Sequence, residues 1–150
     1  MDEAESANEY FTADHRACDE AYAKLEETAQ GGDAQATQTS FTAFEAMMKR
    51  HLAMEEEVLF PALEDATGMR GVGPTAVMRH EHQQMRALLA QMHSAAEAGD
   101  AQGVLDGGDT LLMLIQQHNA KEENVLYPLA DARLASAWPA LAAKLAAFPR

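Results

Sequence analysis

The chain of 150 residues holds a single cysteine, Cys18, so no internal disulfide can brace it. A thiol left free in this way points to a reducing cytoplasm. Basic residues are scarce: 11 Lys and Arg stand against 24 Asp and Glu, for a net charge of −13. That balance argues against nucleic acid and against anionic lipid as partners, because phosphates would be repelled. Apolar runs are short, and none approaches the ~18 residues that a membrane span needs. The opening Met1-Asp-Glu-Ala-Glu-Ser is acidic and has no apolar segment, which is not the pattern of a secretory signal. Aromatic residues make up only 6%, and no alternating β-branched stretch marks a strand.

Proline is absent from residue 1 to residue 60, and Ala, Leu and Met are abundant, the composition of a helical bundle. With 47% apolar residues, the chain is long enough for one compact domain over 1–150 with a real core. The spacing predicts an all-α fold, an up-down-up-down four-helix bundle with helices near 8–29, 34–64, 74–98 and 102–133. A short C-terminal helix is predicted over about 138–147. Gly31-Gly32-Asp33 and Gly99-Asp100 read as tight turns, and Thr67 to Gly73 as a longer link. Pro61 and Pro128 read as helix ends. The inward stripes are Phe11, His15, Cys18, Tyr22, Leu25; Phe41, Phe44, Met48, His51, Glu55, Val58, Leu59; Met78, His82, Met85, Leu89, Met92; and Leu111, Leu114, Ile115, His118, Glu122, Val125, Leu129. Methionines, including Met47 and Met113, read as core filler.

The chain repeats itself. His51-Leu-Ala-Met-Glu55-Glu-Glu-Val-Leu-Phe60-Pro61 returns 67 residues later as His118-Asn-Ala-Lys-Glu122-Glu-Asn-Val-Leu-Tyr127-Pro128. His15 and His82 share that offset, as do the two turn segments, so a helical hairpin of about 8–65 recurs at about 74–133. His51 and Glu55 lie one turn apart on one helix face, and so do His118 and Glu122. A lone histidine on an apolar face is usually a satisfied core residue, and a lone His-x-x-x-Glu pair arises by chance. Four histidines and two glutamates on inward faces, related by one offset, call for another explanation. Two buried carboxylates facing each other repel and need positive charge between them. No lysine or arginine lies within those stripes, so a metal pair is the economical answer, and imidazole with carboxylate suits iron, manganese or zinc. His80 is expected in solvent and His93 as a helix-end cap. Glu56, Glu57 and Glu123 are expected to be solvated, and Asp14 and Glu81 are read as surface acids rather than supports for the neighbouring histidines. Cys18 is read as a small buried residue. Arg86 is read either as entering the pocket or as a surface charge, the latter preferred.

At these residues the chain resembles the hemerythrin-like, or HHE cation-binding, family. The resemblance rests on Asp14-His15-Arg16, His51-x-x-x-Glu55-Glu56 before Leu59-Phe60-Pro61, Glu81-His82, and His118-x-x-x-Glu122-Glu123 before Leu126-Tyr127-Pro128. It implies that His15, His51, His82 and His118 are nitrogen ligands, and that Glu55 and Glu122 bridge two non-heme iron ions joined by an oxo or hydroxo group. The oxygen carriers of that family add a fifth histidine through His-x-x-x-His on the third helix. Here Met78 and Arg86 flank His82 at those spacings, so the set is similar to the four-His, two-Glu di-iron proteins of iron–sulfur cluster repair and nitric oxide stress. The cysteine-bearing N-terminal extension of some of those proteins is absent. The resemblance implies binding or sensing of a small diatomic ligand, O₂ or NO. The alternatives are a di-iron enzyme (NO reductase or peroxidase-like) with a redox partner protein, or an iron donor in cluster repair. Glu-x-x-His and His-Glu-x-x-His occur nowhere, which sets aside ferritin-type and zinc-protease sites.

Overall fold

The computed structural model describes residues 4–149. The first three residues of the acidic N-terminal segment, and Arg150, lie outside that range. Among the described residues every regular element is helical. Helix α1 spans Ala7–Gln30 and α2 Ala34–Met54, which continues through a π-helical turn, Glu55–Leu59, into α3, Phe60–Thr67. The second half repeats the scheme: α4 is Pro74–Glu97, and α5, Ala101–Lys121, runs through a second π turn, Glu122–Leu126, into α6, Tyr127–Leu134. Helix α7, Trp138–Ala146, closes one end. The long rods form an up-down-up-down bundle in which α1 and α4 each pack against both α2 and α5.

The hairpin turns arise from local chemistry. Asp33 and Asp100 cap α2 and α5 by accepting from Ala36 N and Gly103 N. The residues before them, Gly32 and Gly99, take φ of +76° and +72°, the left-handed region that glycine adopts without a Cβ penalty.

The rods end at Thr67 and Leu134, near the predicted 64 and 133, but the reading of Pro61 and Pro128 as the helix ends is corrected: both lie inside the continuing rods. The π turns explain this. Phe60 N–H reaches back five residues to the Glu55 carbonyl, and Tyr127 N–H does the same to Glu122. The widened turn makes room for a ring that would clash in a regular helix. The extra residue also rotates the later part of each rod about its axis. Val125 points outward, not into the core, although its counterpart Val58, at the π turn against which α7 packs, is buried; Leu126, Tyr127 and Ala130 are buried. Leu114 and Leu129 are only partly buried. Met113 is exposed and so is not core filler, whereas Met48, Met78, Met85 and Met92 are.

The buried apolar residues fall into two clusters. Phe11, Met54, Phe60, Leu126, Tyr127, Trp138 and Leu145 fill the end that α7 covers. Tyr22, Phe41, Phe44, Met48, Met85, Leu89, Leu111 and Ile115 fill the end with the hairpin turns. Full burial of each such side chain contributes about 1.5–3 kcal/mol. The polar layer lies between the two.

Candidate metal centre

Four rods deliver the predicted residues to that layer. His15 comes from α1, His51 from α2, His82 from α4 and His118 from α5, while Glu55 and Glu122 open the two π turns. All six are buried, and both glutamates have no exposed surface. Their ligand atoms form two overlapping groups of four: His15, His51, Glu55 and Glu122, and Glu55, His82, His118 and Glu122, each within 4.8 Å. Each hairpin supplies one histidine pair, and both glutamates belong to both groups. The ring centroids match the repeat: 4.8 Å for His15–His51 and 4.9 Å for His82–His118.

Each imidazole is held from behind. Nδ1 of His15 donates to Glu123 at 2.8 Å, and Nδ1 of His82 to Glu56 at 2.8 Å. Nδ1 of His51 donates to Asp14 at 2.7 Å, and Nδ1 of His118 to Glu81 at 2.8 Å. A carboxylate can only accept, so the Nδ1 proton is fixed and Nε2 faces the centre. These four acids also obey the 67-residue offset, Asp14 with Glu81 and Glu56 with Glu123. A cation backs each of them: Arg50 approaches Asp14, Lys121 lies at 2.5 Å from Glu81, Arg86 at 3.0 Å from Glu56 and Arg16 at 2.8 Å from Glu123.

Several readings of the sequence are corrected by this arrangement. Glu56 and Glu123 are not merely solvated, and Asp14 and Glu81 are not surface acids; all four orient a ring. Arg86 neither enters the pocket nor stands free; it holds Glu56. His93 does not cap a helix end but bridges Glu45 and Glu97 on the surface. His80 and Glu57 are exposed and Cys18 is buried, as expected. Tyr127 went unread as a site residue. Its hydroxyl lies 2.6 Å from Glu55 Oε2 and 3.0 Å from both Glu122 Oε1 and His15 Nε2.

The electrostatics of this layer are those of a site built for cations. Burial works against a charged His51, but Glu55 and Asp14 overcome it and lift the ring to about 10. Burial and the His51 charge push His15 down to about 4, and burial pushes His118 down to about 4. The two glutamates diverge. Burial opposes ionisation of Glu55, yet His51 holds its carboxyl well below the usual range. Burial and the Glu55 charge drive Glu122 well above it. Cys18 is pushed up to about 12, by burial first and Asp14 second, so its thiol stays protonated.

Fit to a metal can be judged from the donors themselves. Among the described residues, Nε2 of His51, His82 and His118, Oε1 of Glu55 and Oε2 of Glu122 are buried with no hydrogen bond of good geometry. An unpaired buried polar atom costs about 1–3 kcal/mol, and five of them converging on one spot need a shared cationic partner. Imidazole and carboxylate donors in this number suit a first-row transition metal.

Beside the centre lies a small cavity lined by His15, His51, His118, Cys18, Met48 and Ile115. It offers about 20 Å³ to the centres of water-sized molecules, room for one or two of them.

A model of the family described as the hemerythrin HHE cation binding domain matches residues 6–130. Among curated proteins, the chain is 30% identical over 88 residues to an iron-sulfur cluster repair protein YtfE of Enterobacter sp. (strain 638), covering 53% of this chain and 40% of that relative. It is 28% identical over 91 residues to the proteins of the same name from Musicola paradisiaca and Escherichia coli O1:K1 / APEC, covering 55% of this chain and 41% of each. The matched region thus spans about two fifths of the length of these relatives. No solved structure matches the chain. Among the described residues no helix is long and apolar enough to cross a membrane.

Proposed function

The chain belongs to the hemerythrin HHE cation binding domain family, and on that premise we propose that it is a non-heme di-iron protein that binds or senses O₂ or NO. His15 and His51 would hold one ion, His82 and His118 the other, with Glu55 and Glu122 bridging. The observation that carries this reading is the pair of four-residue groups sharing both glutamates, beside a cavity large enough only for a very small molecule. Iron bound there would supply a redox-active centre with positions left for an added ligand.

The protein's own residues support that role in three ways. The four Nδ1-anchoring acids fix ring orientation, so the donors need not reorganise when an ion arrives. The apolar clusters on both sides exclude bulk water, which strengthens every interaction inside. The cavity walls combine apolar side chains, Met48, Met85 and Ile115 among them, with the histidines of the centre, and their small volume suits a diatomic rather than an organic substrate.

A second reading is favoured by the relatives, which are named for iron–sulfur cluster repair. The centre would then hold iron for transfer to an acceptor. Catalytic turnover of NO or peroxide with a redox partner is the third reading. Anaerobic iron reconstitution followed by optical titration with O₂ and then NO tests all three. A reversible spectral change without turnover supports the binding role. Steady consumption with a reductant supports an enzyme, and loss of iron to an apo-acceptor supports a donor. A protein that takes up no iron removes all three.

A further inference from the structure

The repeat is obeyed by all four histidines, both central glutamates and all four anchoring acids, but among the positions where it breaks is one that brings a polar atom to the centre. Residue 127 is tyrosine and its counterpart, 67 residues earlier, is Phe60. Both rings are fully buried and both follow a π turn into the core. Phe60 lies 5.3 Å from the His82 ring, and Tyr127 lies 5.5 Å from the His15 ring. At this position a hydroxyl oxygen faces the centre on one side only.

We propose that the Tyr127 oxygen is a further protein donor to the ion held by His15 and His51, which makes the two metal positions chemically unequal. This inference rests on the di-iron reading of the centre.

Three observations carry it. First, the one histidine nitrogen beside the hydroxyl is His15 Nε2, of the His15–His51 group; its other neighbours, Glu55 Oε2 and Glu122 Oε1, come from the glutamates both groups share. Second, its separations from them are 3.0, 2.6 and 3.0 Å. Metal bonds of about 2.0–2.2 Å place adjacent donors on one ion about 3 Å apart, so the oxygen already sits where a ligand of that ion would. Third, the phenol has a single proton and can donate to only one of its three neighbours. An ion satisfies all of them together. The ring cannot swing away, because it is sealed in the core and stacked on Phe11 at 5.6 Å.

Coordination replaces the O–H bond with an oxygen–metal bond. The proton passes to bulk water and no electrons move. The His15–His51 ion then has five protein donors and the His82–His118 ion four. The first iron is held more tightly than the second.

The test compares the full-length protein with Tyr127→Phe, each loaded anaerobically with two equivalents of Fe(II) and then oxidised with ferricyanide. Iron content is measured alongside resonance Raman spectra excited in the visible. The wild type should show tyrosinate ring modes, and Tyr127→Phe should lose them while retaining both irons. On chelator challenge, wild type should release its two irons in two phases, and the variant's slow phase should shorten at least severalfold. Two irons bound with no tyrosinate modes would overturn the assignment and leave the di-iron reading standing. Modes that persist in Tyr127→Phe would place the donor at Tyr10 or Tyr22 and also overturn it. Wild type that takes up no iron would overturn both.

Discussion

Glu55 and Glu122 occupy equivalent places in the repeat, yet the same substitution at each should have opposite effects on the metal-free protein. At pH 7 Glu55 is the anion, paired with a protonated His51. Glu122 keeps its proton, because burial and the Glu55 charge oppose its ionisation. In the unfolded chain Glu122 ionises near its ordinary value of 4.5. Between pH 4.5 and 7 the folded state therefore binds the extra proton, and stability falls as pH rises, by at most about 3 kcal/mol over that interval. Glu122→Gln keeps the shape without that penalty. It should stabilise the chelator-treated protein by about 1–3 kcal/mol at pH 7, raising Tm by about 3–10 °C. The gain should shrink towards zero by pH 4.5. Glu55→Gln strands the buried His51 charge, which costs about 3–5 kcal/mol and lowers Tm by about 6–20 °C. The pair's contribution is fully present between pH 4.5 and 6.5, fades below 4.5 as Glu55 takes up its proton and fades above 6.5 as pH rises towards 10, so neutral pH is a fair place to measure it. Calorimetric melts with chelator at pH 4.5 and 7 decide the matter. If both variants shift Tm in the same direction by similar amounts, this division of charge is wrong.

Metal uptake should release protons, because His51 near 10 and the raised Glu122 must both give theirs up. Affinity should therefore climb about tenfold per pH unit for each such proton across pH 6–8, and a pH-indicator dye should register release on titration; uptake independent of pH would contradict the charge assignment. Glu56→Ala and Glu123→Ala should each weaken metal binding about 10–100-fold by freeing the His82 or His15 ring, whereas His93→Ala, which alters only a surface bridge, should leave it unchanged; calorimetric metal titration measures all three. Ile115→Phe should fill the cavity beside the centre, costing about 1–3 kcal/mol of stability. It should slow NO binding about tenfold or more while leaving iron content intact, as stopped-flow absorbance would show; unaltered rates would mean the ligand arrives elsewhere.

The bundle was legible because periodicity survives in all four stripes, and the six central residues because a single offset relates them. Part of what escaped lies at the π turns at Glu55 and Glu122, which carry each rod past its proline and bring Tyr127 to the centre. Helical spacing placed Val125 inside as it did Val58, but α7 packs beside the first π turn and buries Val58, while Val125 stays exposed. The repeated Leu-(Phe or Tyr)-Pro after each glutamate was the available signal, since proline inside a continuing rod needs such a widened turn. The anchoring acids were missed for another reason. Asp14, Glu56, Glu81 and Glu123 lie next to inward residues in sequence and look solvated on a helical wheel, but three of them are only partly exposed and one is buried. Each reaches a ring on a neighbouring helix, a contact that depends on how the rods pack. Their shared 67-residue offset was visible all along and is the only local trace of that role.

If Glu55 and Glu122 each serve both ions, anomalous diffraction at the iron edge should reveal it in crystals of the reconstituted protein. Two peaks are expected, one between His15 and His51 and the other between His82 and His118, with both carboxylates reaching each. A single peak, or iron bound only at surface acids such as Glu45 and Glu97 beside His93, would rule out a shared pair.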